Sequence, residues 1–429
     1  MAKIEDKYLV VISFDSLGSE DLEELKNLPN FKYVMSNGAL ITKVKSIYPT
    51  LTYPIHTTLI TGRYPKDHGI VNNTLIQPGR QSPDWYWYEK YIKGETLLKL
   101  AKKKGYKTAS LLWPVTAKGN IDYNLPEIFP NRPWKKQIVT SLTAGSPLML
   151  MNLQRKFGYI RKGLHQPALD MFASYSASYI IEKHKPNLTM IHFTDVDINR
   201  HIYGYNSKEA KMALKRYDKR LGEIITALKK AELWNKCTLV ALSDHSQIDV
   251  SKSIRLNILF KDVGLIEVDE KGNISNWKAY LKTCEGSSYI YLKDKEDSVV
   301  KNKVMNVLKE FMENNRSGIE TIYSAKEAET LGADPNCFLM LEAKRGYHFV
   351  EFIEGQIIDE PRNELKACHG YSPDKNKYET IFMAYGVGVK KSVIIENEHI
   401  INVAPTLAKF LDMEFEETTG RIIEEIFNE

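Results

Sequence analysis

The sequence predicts an α/β protein in which a mostly parallel central sheet is flanked by helices and carries a smaller α+β insertion. Short apolar runs of strand length alternate with segments of helical periodicity, the order expected of βα units. The 429 residues are 43% hydrophobic and 26% charged, a balance typical of globular proteins. This composition excludes a disordered chain, a collagen-like fibre and a disulfide-dense mini-protein.

The individual elements follow from these patterns. The core strand candidates are apolar runs at 8–14, 107–113, 188–194, 238–243 and 380–385. The helix candidates lie at 20–28, 52–61, 96–104, 208–231 and 404–411. Residues 250–366 differ, with strand-like runs at 287–294, 338–341 and 347–352 and a helical run at 299–314. We therefore predict one α/β core from residues 1–249 and 367–429, with residues 250–366 as the insertion.

Cysteine spacing and apolar runs bear on the compartment. The four cysteines are far apart and form no CxxC pair, so we expect buried free thiols. The first apolar run, 8–14, is too short for a secretory signal, and no run reaches the ~18 apolar residues of a membrane helix. These features predict a cytoplasmic protein. The net charge, 59 − 54 = +5, is too small to indicate a nucleic-acid binder.

Three predicted strands end in carboxylates. Asp15 follows the first strand, Asp195 and Asp197 follow the third, and Asp244 follows the fourth together with His245. Ligands of open α/β sheets bind at the carboxyl ends of the strands, so these side chains should meet at one edge. Each Asp alone could merely cap a helix. Three together, with histidines attached, predict a cation site.

Two further histidines extend this prediction. Asp197 and His201 are four residues apart, on one face if the segment is helical. His369, just before the strand candidate at 380–385, is the candidate third ligand. Mixed Asp and His ligation without thiolates suits Zn²⁺, with Mn²⁺ as the rival. Two such ions about 4 Å apart would form a site for phosphate chemistry.

A hydroxyl and an amide complete the candidate site. Thr52 stands where the N-cap of the helix at 52–61 is expected, and Pro54 suits the first turn. A hydroxyl bound to a dication at a helix N-terminus is also a candidate nucleophile, because the metal and the helix dipole favour its ionised form. Asn73 could donate to a non-bridging phosphoryl oxygen, although an isolated Asn is more often a turn residue.

These residues sit in recognisable motifs. The run T-L-T-Y-P-I-H-T-T-L-I-T-G-R-Y-P-K-D-H-G-I-V-N-N resembles the nucleotide pyrophosphatase/phosphodiesterase family of the alkaline phosphatase superfamily. The resemblance continues, in the same order, through D-I-N-R-H, S-D-H and H-G-Y-S-P. It spans residues 8 to about 420 and implies an alkaline-phosphatase-like core.

The resemblance also implies roles for single residues. Asp197, His201 and His369 would hold one divalent ion. Asp15, Asp244, His245 and Thr52 would hold the other, and Asn73 would contact the phosphoryl oxygen. The implied mechanism is in-line attack by Thr52, a phosphothreonine intermediate and its hydrolysis by water. Tyr53 replaces the usual Phe and would offer an aromatic face to a base or leaving group.

Other departures concern the shape of the pocket. Ile55 stands where an Asn is common, Arg200 and Ser246 each replace a Gly, and Val115 replaces the Gly of a W-P-G motif. None of them removes a ligand, but Arg200 and Ser246 bear on the choice of substrate.

A basic tract remains without a role. Between Glu127 and Asp170 there is no acidic residue, and the segment 132–162 carries seven Lys and Arg residues together with aromatic and apolar ones. It fits a solvated helix, a lid that steers an anionic substrate, or a membrane or nucleic-acid patch. The aromatic stretch 82–91 fits either core packing or stacking on a planar group.

Together the observations predict a metal-dependent phosphodiesterase or nucleotide pyrophosphatase with two divalent ions per chain. A phosphomonoesterase, a phosphonoacetate hydrolase or a phospholipid head-group hydrolase could use the same site. The expected partner is a small-molecule phosphate ester, such as a nucleotide, rather than a nucleic acid or a membrane surface.

Overall fold

The central element of the protein is an eight-stranded sheet. The computed structural model describes residues 7–313, 317–361 and 365–428. Within them the sheet has the strand order β18-β2-β17-β6-β1-β5-β3-β4. These strands are β1 (Tyr8–Phe14), β2 (Ala39–Lys45), β3 (Thr108–Leu111), β4 (Tyr123–Leu125), β5 (Leu188–Phe193), β6 (Cys237–Leu242), β17 (Thr380–Gly386) and β18 (Val393–His399). All neighbours pair in parallel except β17, which is antiparallel to β2 and β6, so the predicted mostly parallel sheet is confirmed.

Helices cover both faces of this sheet. They are α1 (Leu22–Leu25), α2 (Pro29–Asn37), α3 (Thr52–Thr61), α4 (Pro65–His68), α5 (Leu97–Lys103), α6 (Gln137–Ala144), α7 (Pro147–Phe157), α8 (Ala168–His184), α9 (Asp195–Tyr203), α10 (Lys208–Lys230) and α14 (Val403–Phe410). Leu9 and Val11 of β1 pack with α3, α5 and α14, whereas Val10 and Ile12 pack with α2, α8 and α10. This alternation places a hydrophobic core on each face.

The predicted helix at 20–28 is wrong in extent. Helix α1 spans only Leu22–Leu25, and a separate helix, α2, begins at Pro29. Leu28 has φ −94° and ψ 125° because the proline ring disfavours a helical conformation in the residue before it. The chain therefore breaks at Leu28 and restarts with Pro29 as the first helical residue.

The segment around the predicted insertion forms smaller sheets. Its elements are β7 (Ile248–Ile254), α11 (Leu256–Asp262), β8 (Ile266–Val268), β9 (Ile274–Trp277), β10 (Ala279–Cys284), β11 (Ser287–Leu292), α12 (Ser298–Glu313), β12 (Ile319–Ser324), α13 (Ala325–Thr330), β13 (Leu339–Ala343), β14 (Gly346–Phe349), β15 (Ile358–Asp359) and β16 (Ala367–Cys368). Residue 314, the predicted end of the helical run at 299–314, lies outside the described residues.

This smaller unit has a core of its own. Strands β10, β11, β13 and β12 form an antiparallel sheet, and their apolar side chains join a cluster that runs from Ile248 to Tyr378. Strand β7 crosses the predicted boundary at 249/250 and pairs with both β14 and β16. The division at 249/250 and 366/367 therefore remains our proposal.

The cysteines behave as the sequence predicts. All four are buried and free, at Cys237, Cys284, Cys337 and Cys368. In the described part of the chain, no helix combines the length and the apolarity that crossing a bilayer requires.

Candidate active site

The carboxyl ends of three adjacent strands form the site. Strands β6, β1 and β5 are neighbours in the sheet, and Asp15, Asp197 and Asp244 follow them directly or within the first turn of α9. The sheet thereby brings three buried or nearly buried carboxylates to one edge, as the sequence predicts.

The first group of ligand atoms consists of Asp15, Asp244 and His245, whose ligand atoms all lie within 4.8 Å of one another. The Nε2 atom of His245 is 3.3 Å from Asp15 Oδ1 and 3.2 Å from Asp244 Oδ2. Both of these carboxylate oxygens are buried and have no hydrogen-bond partner among the described residues. A buried carboxylate oxygen without a partner is costly, and two that face one imidazole nitrogen fit a cation between them.

The electrostatics of this group support the same conclusion. Burial, together with repulsion from Asp197 and Asp244, raises the pKa of Asp15 well above its usual value. Burial also raises the pKa of Asp244 to about 7, and it lowers the pKa of His245 well below 6.5. In the metal-free protein the carboxylates therefore lack the positive charge that would stabilise their ionised forms.

The second group consists of Asp197, His201 and His369, also within 4.8 Å of one another. The Nδ1 atom of His201 is 2.8 Å from the Ala367 carbonyl, and that of His369 is 2.9 Å from the Thr50 carbonyl. A carbonyl oxygen only accepts, so each Nδ1 donates a proton to its carbonyl, and each Nε2 is the ring nitrogen that is left for the site.

Charge is strongly coupled within the second group. Although burial alone would lower it, the carboxylates of Asp197 and Glu285 raise the pKa of His201 to about 10. The surrounding imidazoles in turn hold the pKa of Asp197 well below its usual range, against the effect of burial. The ring of His369 stacks on that of His245, with centroids 3.8 Å apart, so the two groups lie side by side.

Thr52 lies against the first group. It is the first residue of α3 rather than its N-cap, which is Leu51, so the predicted N-cap position is wrong by one residue. No side chain caps this helix, and the Thr52 hydroxyl instead lies 3.2 Å from His245 Nε2. The hydroxyl is therefore held at a helix N-terminus and faces the same space as Asp15 and Asp244.

Asn73 is oriented by the same helix. Its Oδ1 accepts a hydrogen bond of 2.9 Å from the backbone N–H of Tyr53. Because a backbone N–H is a donor, the atom that faces it must be the amide oxygen, and the amide N–H₂ is left for another acceptor. Asn73 lines the active-site cavity together with Thr52.

The cavity has a volume of about 290 Å³ and an aromatic wall. Tyr53 and Trp85 both line it, with ring centroids 5.2 Å apart, and Phe129 lies 5.3 Å beyond Trp85. The aromatic stretch 82–91 therefore contributes Trp85 to the site, whereas Trp87 of the same stretch is buried in the core.

Several residues of the site were not predicted from the sequence. Glu127 and Glu285 line the cavity, and burial raises the pKa of Glu127 to about 8. His192 lies 3.1 Å from Asp15 Oδ2, and His56 lies 2.8 Å from the Thr52 carbonyl. His192 left one signal, as an imidazole inside an otherwise apolar strand, but no pattern in the sequence distinguishes either glutamate.

Arg200 lies away from the cavity. Its side chain is buried, donates to Asp21 at 2.6 Å and to the Tyr205 carbonyl at 3.2 Å, and stacks on the Tyr205 ring. Ser246 also lies against Tyr205, and neither residue is part of the described cavity lining. The two Gly replacements thus form a structural cluster rather than a substrate contact.

This placement leads to a prediction for Arg200→Met. The substitution leaves Asp21 buried without its cation, so we expect the free energy of unfolding to fall by about 3–5 kcal/mol. The ratio of diester to monoester hydrolysis should stay constant. Arg421→Met is the control, since its 57% exposed guanidinium should contribute only about 0–1 kcal/mol. A changed ratio at unchanged stability would contradict this assignment.

The chain matches the family model described as type I phosphodiesterase / nucleotide pyrophosphatase over residues 9–372. Human ectonucleotide pyrophosphatase/phosphodiesterase family member 1 is 26% identical over 281 residues, covering 62% of this chain and 26% of that protein. Human family member 5 is 26% identical over 256 residues, with coverages of 58% and 46%. Venom phosphodiesterase 2 of Crotalus adamanteus is 25% identical over 262 residues, with coverages of 58% and 28%. The chain thus spans between 26% and 46% of the length of these relatives.

A solved structure matches nearly the whole chain. Murine ectonucleotide pyrophosphatase/phosphodiesterase 5 superimposes with a TM-score of 0.69 at 20% identity, covering 98% of this chain and 100% of that one. An inactive form of the same murine protein, at 19% identity, is solved in complex with AMP. These similarities confirm the predicted fold.

The predicted cytoplasmic location is wrong. The relatives are named ectonucleotide enzymes and venom phosphodiesterases, names that describe proteins acting outside the cell. The short apolar run at 8–14 was a poor guide, because it is the central strand β1 and carries no information on the compartment.

The match to the family model covers most of the chain, from β1 through the last proposed ligand, His369. The matched family consists of metal-dependent hydrolases of phosphoric ester bonds within the alkaline phosphatase superfamily. The chain therefore belongs to the type I phosphodiesterase/nucleotide pyrophosphatase family.

Proposed function

We propose that this protein is a metal-dependent phosphodiesterase that hydrolyses phosphoric diesters or anhydrides of nucleotide type through a covalent phosphothreonine on Thr52. The observation that carries the proposal is the convergence of two ligand groups beside one hydroxyl at a helix N-terminus.

The proposal assigns two divalent ions to the site. Asp15, Asp244 and His245 would hold one together with Thr52, and Asp197, His201 and His369 would hold the other. The unpartnered Asp15 and Asp244 oxygens and the carbonyl-anchored imidazoles fit this role. Oxygen and imidazole donors without thiolates suit Zn²⁺, with Mn²⁺ as the alternative. When bound, such ions supply positive charge that stabilises phosphoryl oxygens and favours the ionised form of a nearby hydroxyl.

The residues of the protein carry out the bond-forming and bond-breaking steps. The Thr52 hydroxyl loses its proton to solvent and its oxygen attacks phosphorus in line with the leaving group, whose bond to phosphorus then breaks. The α3 N-terminus and the Asn73 amide stabilise the charge on the non-bridging oxygens. Water then attacks the phosphorus of the threonyl ester, and Thr52 regains its proton as the product leaves.

A nucleotide substrate is supported by two features. The wall formed by Tyr53, Trp85 and Phe129 offers planar surfaces on which a base can stack. The murine relative that shares the fold is solved with AMP, a nucleoside monophosphate of the kind that such hydrolysis releases. A phosphomonoesterase would use an additional cation beside the phosphate, and Arg200 does not supply it, because its guanidinium is bound to Asp21.

The proposal is tested by substrate preference and metal content together. The chelated protein is reloaded with Zn²⁺ or Mn²⁺, elemental analysis gives the metal stoichiometry, and three substrates are compared. These are bis-p-nitrophenyl phosphate, p-nitrophenyl thymidine monophosphate and p-nitrophenyl phosphate. We expect two ions per chain and faster hydrolysis of the diesters than of the monoester. Absence of diester turnover in a fully loaded protein would refute the proposal.

A prediction for Asn73 separates two roles of its side chain, namely donation to a phosphoryl oxygen and acceptance of the Tyr53 N–H. Asn73→Asp keeps an oxygen for the Tyr53 N–H but removes the amide donors, so we expect kcat to fall about 10²–10³-fold with an unchanged melting temperature. Asn72→Asp is the control: the neighbouring Asn72 amide donates to the Thr283 carbonyl of the smaller unit instead. It should lower stability more than kcat. Equal losses of kcat in both variants would argue against a phosphoryl contact by Asn73.

A further inference from the structure

Exposed apolar side chains are concentrated on one part of the surface. Seven large ones lie between residues 134 and 164, whereas the others are scattered over the rest of the described chain. The seven are Trp134, Ile138, Val139, Leu148, Met151, Tyr159 and Leu164. We call this region, which includes α6 and α7, the 134–164 surface. Single exposed apolar residues are ordinary, but a cluster indicates a binding surface.

Helix α7 explains why these side chains are exposed. Met149, Leu150 and Leu153 face the core, and this is the buried stripe of an ordinary surface helix. Leu148 and Met151, three residues apart, lie on the outer side, where they are 81% and 50% exposed. The helix thus carries apolar residues on both its buried and its exposed side, although only the buried side packs against the rest of the chain.

The same surface is positively charged. The segment between Glu127 and Asp170 has no acidic residue, and its cations are Arg132, Lys135, Lys136, Arg155, Lys156, Arg161 and Lys162. Arg132 pairs with Asp84 at 2.7 Å. In the described ranges, none of the other six lies within 4.0 Å of a carboxylate. Five of the six are exposed, so their charge is available to an anionic partner, whereas Arg161 is half-buried against the Phe172 ring.

We propose that the 134–164 surface docks this protein onto a membrane that contains anionic lipid. Exposed aliphatic side chains enter the boundary between headgroups and acyl chains, while adjacent lysines and arginines attract anionic headgroups. A nucleic acid would also attract the cations, but it offers no apolar phase for Leu148, Met151 or Ile138. The combination of charge and aliphatic surface therefore favours lipid.

The position of the surface gives docking a consequence for the active site. A groove of about 300 Å³ on this surface is lined by Ile138, Met151 and Arg155. Its floor shares four residues with the active-site cavity, namely Leu125, Ser141, Arg161 and Phe172. Docking would therefore place the groove, and the cavity behind it, next to the lipid surface.

The test is co-sedimentation of the full chain with vesicles. We expect binding to phosphatidylcholine vesicles that contain phosphatidylglycerol, weakened by salt and much weaker for phosphatidylcholine alone. Leu148→Gln/Met151→Gln should reduce the partition coefficient at least about tenfold. Lys135→Gln/Lys136→Gln should reduce it about fivefold for each lysine.

Matched pairs elsewhere on the surface serve as controls. Val299→Gln/Ile394→Gln replaces two aliphatic side chains that are 73% and 72% exposed, and Lys390→Gln/Lys391→Gln replaces two adjacent exposed lysines. Both pairs should bind vesicles like the unmodified protein. Equal losses in test and control pairs, or absence of binding to anionic vesicles, would overturn the proposal. So would tight binding to an oligonucleotide that Lys135→Gln/Lys136→Gln weakens and Leu148→Gln/Met151→Gln does not.

Discussion

Thr52→Ala is expected to lower kcat for a nucleotide diester by at least about 10⁴-fold while the fold and the bound metal are retained. The reason is geometric: the Thr52 hydroxyl is the one that lies 3.2 Å from His245 Nε2, beside the first ligand group. The substitution removes the attacking oxygen and leaves the α3 backbone and the other six proposed ligands in place. Stopped-flow turnover, elemental analysis and circular dichroism measure the three properties separately.

Two companion measurements test the covalent intermediate itself. Thr52→Ser keeps a hydroxyl at the helix N-terminus, so it should retain activity and form an acid-stable phosphoryl adduct on residue 52. Two successive displacements at phosphorus also predict retention of configuration in a chiral phosphorothioate diester. Net inversion, or Thr52→Ala activity above about a hundredth of the original, would assign the attack to water instead.

The positions of the candidate carboxylates in the fold could be predicted from the sequence, whereas part of the sheet around them could not. Asp15 and Asp244 could be located because each stands at the end of an apolar run, and Asp197 because it closely follows another. Such a pattern is visible without knowledge of the partner strands. The strands β2, β4 and β18 of this sheet were missed. Strand β4 has only three residues. Strands β2 and β18 are at or near the edge of the sheet and carry many polar residues, and each pairs with a strand that is distant in sequence, β2 with β17 and β18 with β2.

The groups that orient the proposed ligands could not be predicted either, because they belong to parts of the chain that are distant in sequence. The carbonyls of Thr50 and Ala367 fix the two histidine tautomers, yet they are backbone atoms that every residue type possesses. The role of Arg200 was also hidden, because its partner Asp21 is 179 positions away. Such contacts form only when the chain folds, so the spacing of residues along the sequence does not predict them.

Asp244→Asn is expected to abolish metal binding at the site proposed for Asp15, Asp244 and His245 and, at the same time, to stabilise the metal-free protein. In the metal-free state Asp244 Oδ2 is buried, has no hydrogen-bond partner among the described residues and lies near the second carboxylate, Asp15. An amide removes one negative charge from this cluster. Its N–H₂ group would stand about 3.2 Å from His245 Nε2, which can accept a hydrogen bond. We expect the free energy of unfolding to rise by about 1–3 kcal/mol in chelator.

Added metal should reverse the order of stability. Metal that binds only the folded state stabilises it by about 4 kcal/mol at a free concentration of 1,000 Kd. The unmodified protein should therefore gain several degrees in Tm on addition of Zn²⁺, whereas Asp244→Asn should gain much less. Scanning calorimetry with chelator and with Zn²⁺ gives the four melting temperatures, and isothermal titration gives the number of ions bound.

Asp218→Asn separates this effect from a general effect of removing a buried carboxylate. Asp218 is buried like Asp244, but it accepts hydrogen bonds from the backbone N–H groups of Asn30 and Phe31 and from the Asn30 side chain. An amide there would set one N–H₂ group against another, so this variant should lose stability in chelator and keep the full response to Zn²⁺. If the free energy of unfolding in chelator rises for Asp244→Asn and falls for Asp218→Asn, the unpartnered carboxylates of the site are present to bind a cation and lower the stability of the metal-free protein. A loss of stability in both would mean that the Asp244 carboxylate is a structural group, and the proposed metal centre would have to be abandoned at that position.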